Sequence, residues 1–231
     1  MPDVDALAAA LAPSGLVLRG GIRFEAGDDA PPGPSGRPSV AAMLVGNAGA
    51  AHWPGFRAWL DRQPDALTDP LDRWTAEMVE PVAARFGAHG VYPFEKPYHP
   101  FQAWARRAEG LRPSPLGILM HPRYGLWHAY RAALLFDVEI ADQVAAAPIH
   151  LCDLCVGRPC LKPCPVGAHS ETGFDYASCL THVGLDQGIR CREDGCLDRN
   201  ACPYGVEYRY PATMQAFHMA AFRRGSAVAA R

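Results

Sequence analysis

The chain reads as an α+β protein in two parts, a mixed helix-and-strand domain over residues 1–148 and a small cysteine-rich domain over 149–231. Three observations predict this. Apolar runs of strand type alternate with helical patterns as far as about residue 136. All eight cysteines lie between Cys152 and Cys202. Both cysteine runs finish on Cys-Pro-x-Gly, at Cys164-Pro165-Val166-Gly167 and Cys202-Pro203-Tyr204-Gly205.

In chain order, a first helix is expected over Val4 to Leu11, stopped by Pro13-Ser14-Gly15, followed by a strand over Leu16 to Phe24. Gly27 to Pro38 is a Pro/Gly-rich loop. The apolar run Val40 to Val45 predicts a buried strand ending at Gly46-Asn47-Ala48-Gly49 and leading into a helix that carries Phe56, Trp59 and Leu60. Asp69 as cap, Pro70 at the first helical position and Asp72 near the positive dipole end announce another helix. Its apolar face is Leu71, Trp74, Met78, Val82 and Phe86, with a bend expected at Pro81. Leu116 to Met120 is a further strand, and a second apolar run ends at Phe136.

The first cysteine run, Cys152-x2-Cys155-x4-Cys160-x3-Cys164-Pro165, is close to the bacterial ferredoxin spacing, in which the fourth thiolate crosses to the other cluster. The second is Cys179-x11-Cys191-x4-Cys196-x5-Cys202-Pro203. Crossing the last member of each run gives Cys152, Cys155, Cys160 and Cys202 for one 4Fe-4S cluster, and Cys164, Cys179, Cys191 and Cys196 for the other. Proline after the crossing cysteine fixes φ and removes one N–H, and the glycine permits close backbone approach. Paired zinc sites compete, but structural zinc favours two short Cys-x2-4-Cys knuckles and gives no reason for a shared Cys-Pro ending. Disulfides need an oxidising compartment, whereas the start MPDVDALAAALAPSG lacks the basic and apolar regions of a signal peptide. A cytoplasmic location is therefore expected, with no apolar run of transmembrane length.

With 22 Lys and Arg against 24 Asp and Glu, the net charge is −2, which argues against nucleic acid as the main partner. The most chemically loaded stretch of the first part is His121-Pro122-Arg123-Tyr124-Gly125-Leu126-Trp127. With His99 and His128 it offers groups for an anionic, aromatic ligand; equally, it reads as a hairpin whose Trp and Tyr pack and whose Arg is solvated.

The segment from Gly117 to Leu135, together with Leu67 to Asp72 and Pro38 to Val45, resembles in the same order the cobalamin-C-type processing enzymes, the cyanocobalamin reductase and alkylcobalamin dealkylase family. The two-part layout is also similar to the core of epoxyqueuosine reductases and corrinoid reductive dehalogenases, which join a corrinoid-binding fold to two 4Fe-4S clusters. These resemblances imply a nitroreductase-like domain that binds cobalamin, followed by a ferredoxin-like two-cluster domain. They imply that His121, Pro122, Arg123, Tyr124, Gly125 and Trp127 face the corrin or its tail. Arg131 falls where the processing family has an arginine in its thiol cosubstrate pocket, while Arg106 stands near a position where that family places a histidine. The sequence shows neither the C-terminal helical repeats that epoxyqueuosine reductases use on tRNA nor the twin-arginine signal of exported dehalogenases, and its charge balance is unsuited to tRNA, so a tRNA substrate and export are not expected.

The expected function is that of a cobalamin-binding iron-sulfur oxidoreductase that takes electrons from a donor protein and passes them to a corrinoid cobalt, for upper-ligand removal or cobalt reduction. Two alternatives stand beside it. One is a ferredoxin-type electron carrier without corrinoid. The other is a flavin-dependent reductase, since nitroreductase-like folds commonly hold FMN, although no phosphate-cradling glycine motif supports it.

Overall fold

The computed structural model describes residues 2–65, 67–140 and 148–229. It divides into two compact units, Met1–Leu111 with His128–Pro148, and Arg112–Trp127 with Ile149–Arg231. The segment Arg112–Trp127 thus groups with the cysteine-bearing unit, not with the first part to which a single boundary at residue 148 assigns it.

In the first unit, α1 (Val4–Leu11) starts at Asp3, whose carboxylate accepts the Ala6 N–H at 3.0 Å, and buries Leu7 and Leu11. Next come β1 (Val17–Arg23), β2 (Ala41–Ala48) and α2 (Trp53–Leu60). α3 (Pro70–Arg85), β3 (His89–Val91) and α4 (Phe101–Glu109) follow. The chain then forms β4 (Arg112–Pro113) and β5 (Leu119–Met120) of the second unit and returns as β6 (His128–Phe136). One sheet has the order β1-β2-β6-β3 with every pair antiparallel. β2 is one of its two inner strands and is buried from Ala41 to Asn47. Ala132 to Leu135 of β6 lie beside it with no exposure. Stretches covered on both faces read as continuous apolar runs, as Ala41–Val45 and Ala132–Phe136 do, whereas β6 begins with polar His128, Tyr130 and Arg131.

Several expectations are corrected. β2 does not stop at Val45, because Gly46, Asn47 and Ala48 pair with Tyr130, Ala129 and His128. Asp69 caps α3 without a side-chain bond: it adopts a left-handed φ of 48°, and its carbonyl accepts the Asp72 and Arg73 N–H groups. The buried face of α3 includes Thr75 and Val79, while Met78 and Phe86 are only half-buried. Of the strand expected over Leu116 to Met120, only Leu119–Met120 forms. The preceding residues make a turn in which Gly117, at φ 75°, donates to the Ser114 carbonyl. Nor do β5 and β6 form a hairpin with each other, since β5 pairs with β4.

The second unit continues through two single-turn 3-10 segments, Leu151–Asp153 and Pro159–Leu161, to a minimal hairpin of β7 (His169–Ser170) and β8 (Gly173–Phe174). Four helices complete it: α5 (Tyr176–Gly184), α6 (Ile189–Asp194), α7 (Leu197–Asn200) and α8 (Ala212–Ala229). α6 and α5 pack on α8, whose Met214 is fully buried. A smaller core joins Met120 and Leu126 to Cys202, flanked by Leu151, Cys152 and Tyr204. Short elements and tight loops leave this unit little apolar core of its own, a composition that usually depends on cross-links or metal.

Candidate metal centre

All eight cysteines are free thiols. Cys152 and Cys160 sit in the two 3-10 turns, Cys179 in α5 and Cys191 in α6, while Cys196 and Cys202 flank α7. The structure brings them into two groups. Burial pushes the Cys152 thiol up to about 11, and the nearby Cys202, Cys160 and Cys155 push in the same direction. Burial likewise pushes Cys179 up to about 11, reinforced by Cys196, Cys164 and Cys191. Cys202 and Cys155 also raise Cys160, and Cys164 also raises Cys191 and Cys196, in each case after burial. The first group is therefore Cys152, Cys155, Cys160 and Cys202, and the second Cys164, Cys179, Cys191 and Cys196. The four thiols of the second group line one cavity of about 210 Å³, walled also by Val183 and Phe222.

Backbone amides point at several of these sulfurs. The Ala168 N–H donates to Cys164 Sγ at 3.4 Å. Against the dominant effect of burial, the amide of Arg199 favours the Cys196 thiolate and that of Tyr204 favours Cys202. Among the described residues, no three His, Cys, Asp or Glu converge closely enough to hold a single metal ion.

The two Cys-Pro-x-Gly endings use glycine differently. Gly167, at φ 58°, has open space where a Cβ would point, so only the left-handed turn requires it. Gly205, at φ 66°, presses its backbone on Tyr124; a Cβ there would stand 2.4 Å from the Tyr124 carbonyl. Gly125 reciprocates, at φ 57° and 2.2 Å from the Tyr204 oxygen.

The turn around Gly125 is closed by paired backbone bonds between His121 and Gly125, both 3.0 Å, with His121 Nδ1 accepting the N–H groups of Arg123 and Tyr124 at 3.0 Å. His121 and Tyr124 stack at 4.1 Å. Pro122 and Arg123 are exposed, and the Arg123 guanidinium donates to the Tyr208 hydroxyl at 2.6 Å. Trp127, by contrast, has no exposed surface. Its ring packs against Tyr210 and carries the Arg199 guanidinium at 4.5 Å, and its indole N–H has no partner among the described residues.

The remaining expected residues lie in the first unit. Arg131 donates to Asn47 Oδ1 at 3.1 Å. Buried His128 places Nδ1 3.3 Å from Arg19, which also holds Glu109 bidentately at 2.7 and 2.6 Å, so this histidine belongs to an internal ion-pair network. His99 stacks on Trp104 at 5.6 Å.

Sequence reasoning missed two buried polar groups. His52 has no exposure and neither ring nitrogen has a hydrogen-bond partner among the described residues; burial, then the Arg131 charge, hold its pKa down to about 3. Asp198 is fully buried with Oδ1 2.8 Å from the Cys164 N–H and Oδ2 2.8 Å from His169 Nδ1. Neither has a spacing signature, although the position of Asp198 two residues after Cys196 placed it beside the centre.

No family model matches the chain, and no curated protein matches it in sequence. Among solved structures it is similar to the C. elegans B12-trafficking protein CblC, a human MMACHC homologue, with a TM-score of 0.54 over 95% of both chains at 13% identity. The epoxyqueuosine reductase of Streptococcus thermophilus gives a TM-score of 0.48 at 14% identity, over 75% of this chain and 51% of that one. The first likeness shows a common mixed helix-and-sheet fold that extends well beyond residues 35 to 136, where the sequence resemblance lies.

Proposed function

We propose that this protein is a corrinoid-binding iron-sulfur oxidoreductase. Cys152, Cys155, Cys160 and Cys202 would hold one 4Fe-4S cluster, and Cys164, Cys179, Cys191 and Cys196 the other. The single observation that carries the proposal is the gathering of eight thiols, interleaved along the chain, into two groups of four. The donor set fits a cluster better than zinc. One zinc at about 2.3 Å from each sulfur requires four converging thiolates, whereas iron and sulfide interposed between the thiolates hold them apart.

When bound, the clusters would supply single electrons to a corrinoid cobalt, chemistry that would serve reductive removal of an upper ligand. The chain's own residues do the holding and orienting. Amides of Ala168, Arg199 and Tyr204 support Cys164, Cys196 and Cys202. Exposed Arg123, with half-buried Tyr124 and His121 beside it, would suit an anionic tail, and Arg131 is half-buried beside Asn47. Cobalamin as the ligand is supported by the sequence resemblance and by the fold shared with a B12-trafficking protein. With all eight thiols used as ligands, the chain keeps no internal thiolate to attack a cobalt-bound group.

A second reading is favoured by one observation. Trp127 and Gly125 are occupied by internal packing, which suits an electron carrier whose turn supports the cluster loop and contacts no corrin. Anaerobic preparation followed by iron and sulfide analysis, then titration with hydroxocobalamin, tests both halves. Two clusters and a spectral shift to a base-off form are expected. Stoichiometric zinc without sulfide overturns the first half, and an unchanged cobalamin spectrum leaves the carrier.

A further inference from the structure

We propose that Asp198 sets the reduction potential of both centres: it is a positioning residue for the crossing ligand Cys164 and a buried negative charge shared by the two thiol groups. This rests on the cluster reading above. The carboxylate is fully enclosed, with its two oxygens committed to the Cys164 N–H and His169 Nδ1, both at 2.8 Å. His169 is itself held by stacking on Phe174 at 4.6 Å and borders the same cavity as the second thiol group. The residue therefore cannot swing into solvent, and its charge acts through protein, where screening is weak.

An uncharged oxygen would satisfy the Cys164 amide as well, so the amide alone does not call for a charge. The carboxylate sits on α7, between Cys196 of the second group and Cys202 of the first in the chain, and α7 packs on the 3-10 turn that holds Cys160 of the first. A centre that must accept an electron beside a fixed negative charge is harder to reduce, and net charge is among the levers that set cluster potentials. The effect falls mainly on the second group, which supplies the hydrogen-bonded Cys164 amide and Cys196 at the start of the same helix.

The test uses anaerobically prepared full-length protein and Asp198→Asn, which keeps an oxygen for the Cys164 N–H. Iron and sulfide content is measured first, and midpoint potentials by redox titration monitored by electron paramagnetic resonance. The expected result is unchanged cluster content with both potentials moved positive, the second-group cluster more than the first. Asp198→Glu, which keeps the charge, should stay nearer wild type. If Asp198→Asn does not assemble, Asp198→Ser, neutral and with a hydroxyl for the amide, reads the same quantity. Both clusters present at unchanged potentials in a neutral variant would overturn the role of Asp198 and leave the cluster reading intact. Wild-type protein without sulfide would overturn that reading itself.

Discussion

Gly125 and Gly205 meet backbone to backbone, each with positive φ and each too close to the other's loop to carry a Cβ. The contact locks the His121–Gly125 turn onto the residues that follow Cys202. A segment that reads as ligand-facing in sequence is thus also a buttress for a cysteine loop.

Gly205→Ala should therefore cost far more than Gly167→Ala. Left-handed backbone alone costs a non-glycine residue about 1–2 kcal/mol, and only at Gly205 does a collision with the Tyr124 backbone add to it. Chemical denaturation of the two variants checks this, with about 1 kcal/mol expected for Gly167→Ala and at least about 3 kcal/mol for Gly205→Ala. Equal losses would remove the buttress.

Cys202→Ser should disable the first-group centre and spare the second, because Cys202 lies with Cys152, Cys155 and Cys160 despite closing the other run. Cluster iron should fall by about half. Selective loss of the centre held by Cys179, Cys191 and Cys196 would show that the thiolate does not cross.

Trp127→Ala and Arg123→Ala should separate packing from ligand contact. The first removes a fully buried ring and should destabilise by about 3–5 kcal/mol. The second removes an exposed side chain, with stability changing by less than about 1 kcal/mol while hydroxocobalamin binding weakens. Full-strength binding by Arg123→Ala would take the turn out of the corrinoid site.

Buried His52 should make the protein acid-sensitive. Its folded pKa, about 3, lies below the ordinary 6.5, so the unfolded chain takes up a proton that the folded one refuses. The sign is fixed: its contribution is complete above about pH 6.5 and is lost as pH falls toward 3, at about 1.4 kcal/mol per unit. His52→Leu should flatten that part of the curve in denaturation at pH 7.5 and 5.5. Parallel curves for variant and wild type would contradict it.

How much of this was legible in sequence follows from how local each signal is. The helix over Val4–Leu11 is a local signal and forms where the pattern places it. β2 extends past Gly46 because tertiary pairing with β6 overrides a glycine that looks like a stop. The strand at Leu116 is lost because Gly117 takes a turn conformation. Trp127 was undecidable by type, since an aromatic that packs and one that faces a ligand look alike; Arg199 and Tyr210, which enclose it, lie more than 70 residues away. Asp198 stayed hidden because an aspartate in a short polar helix ordinarily reads as solvated.

The central claim is that reducing equivalents reach a corrinoid through thiolate-held clusters, and one comparison tests it directly. Cyanocobalamin or an alkylcobalamin is incubated anaerobically with intact or cluster-free protein, with either a low-potential reductant or glutathione alone. The account predicts loss of the upper ligand with reductant alone, only when the clusters are present. Turnover that requires glutathione and survives removal of both clusters would contradict it.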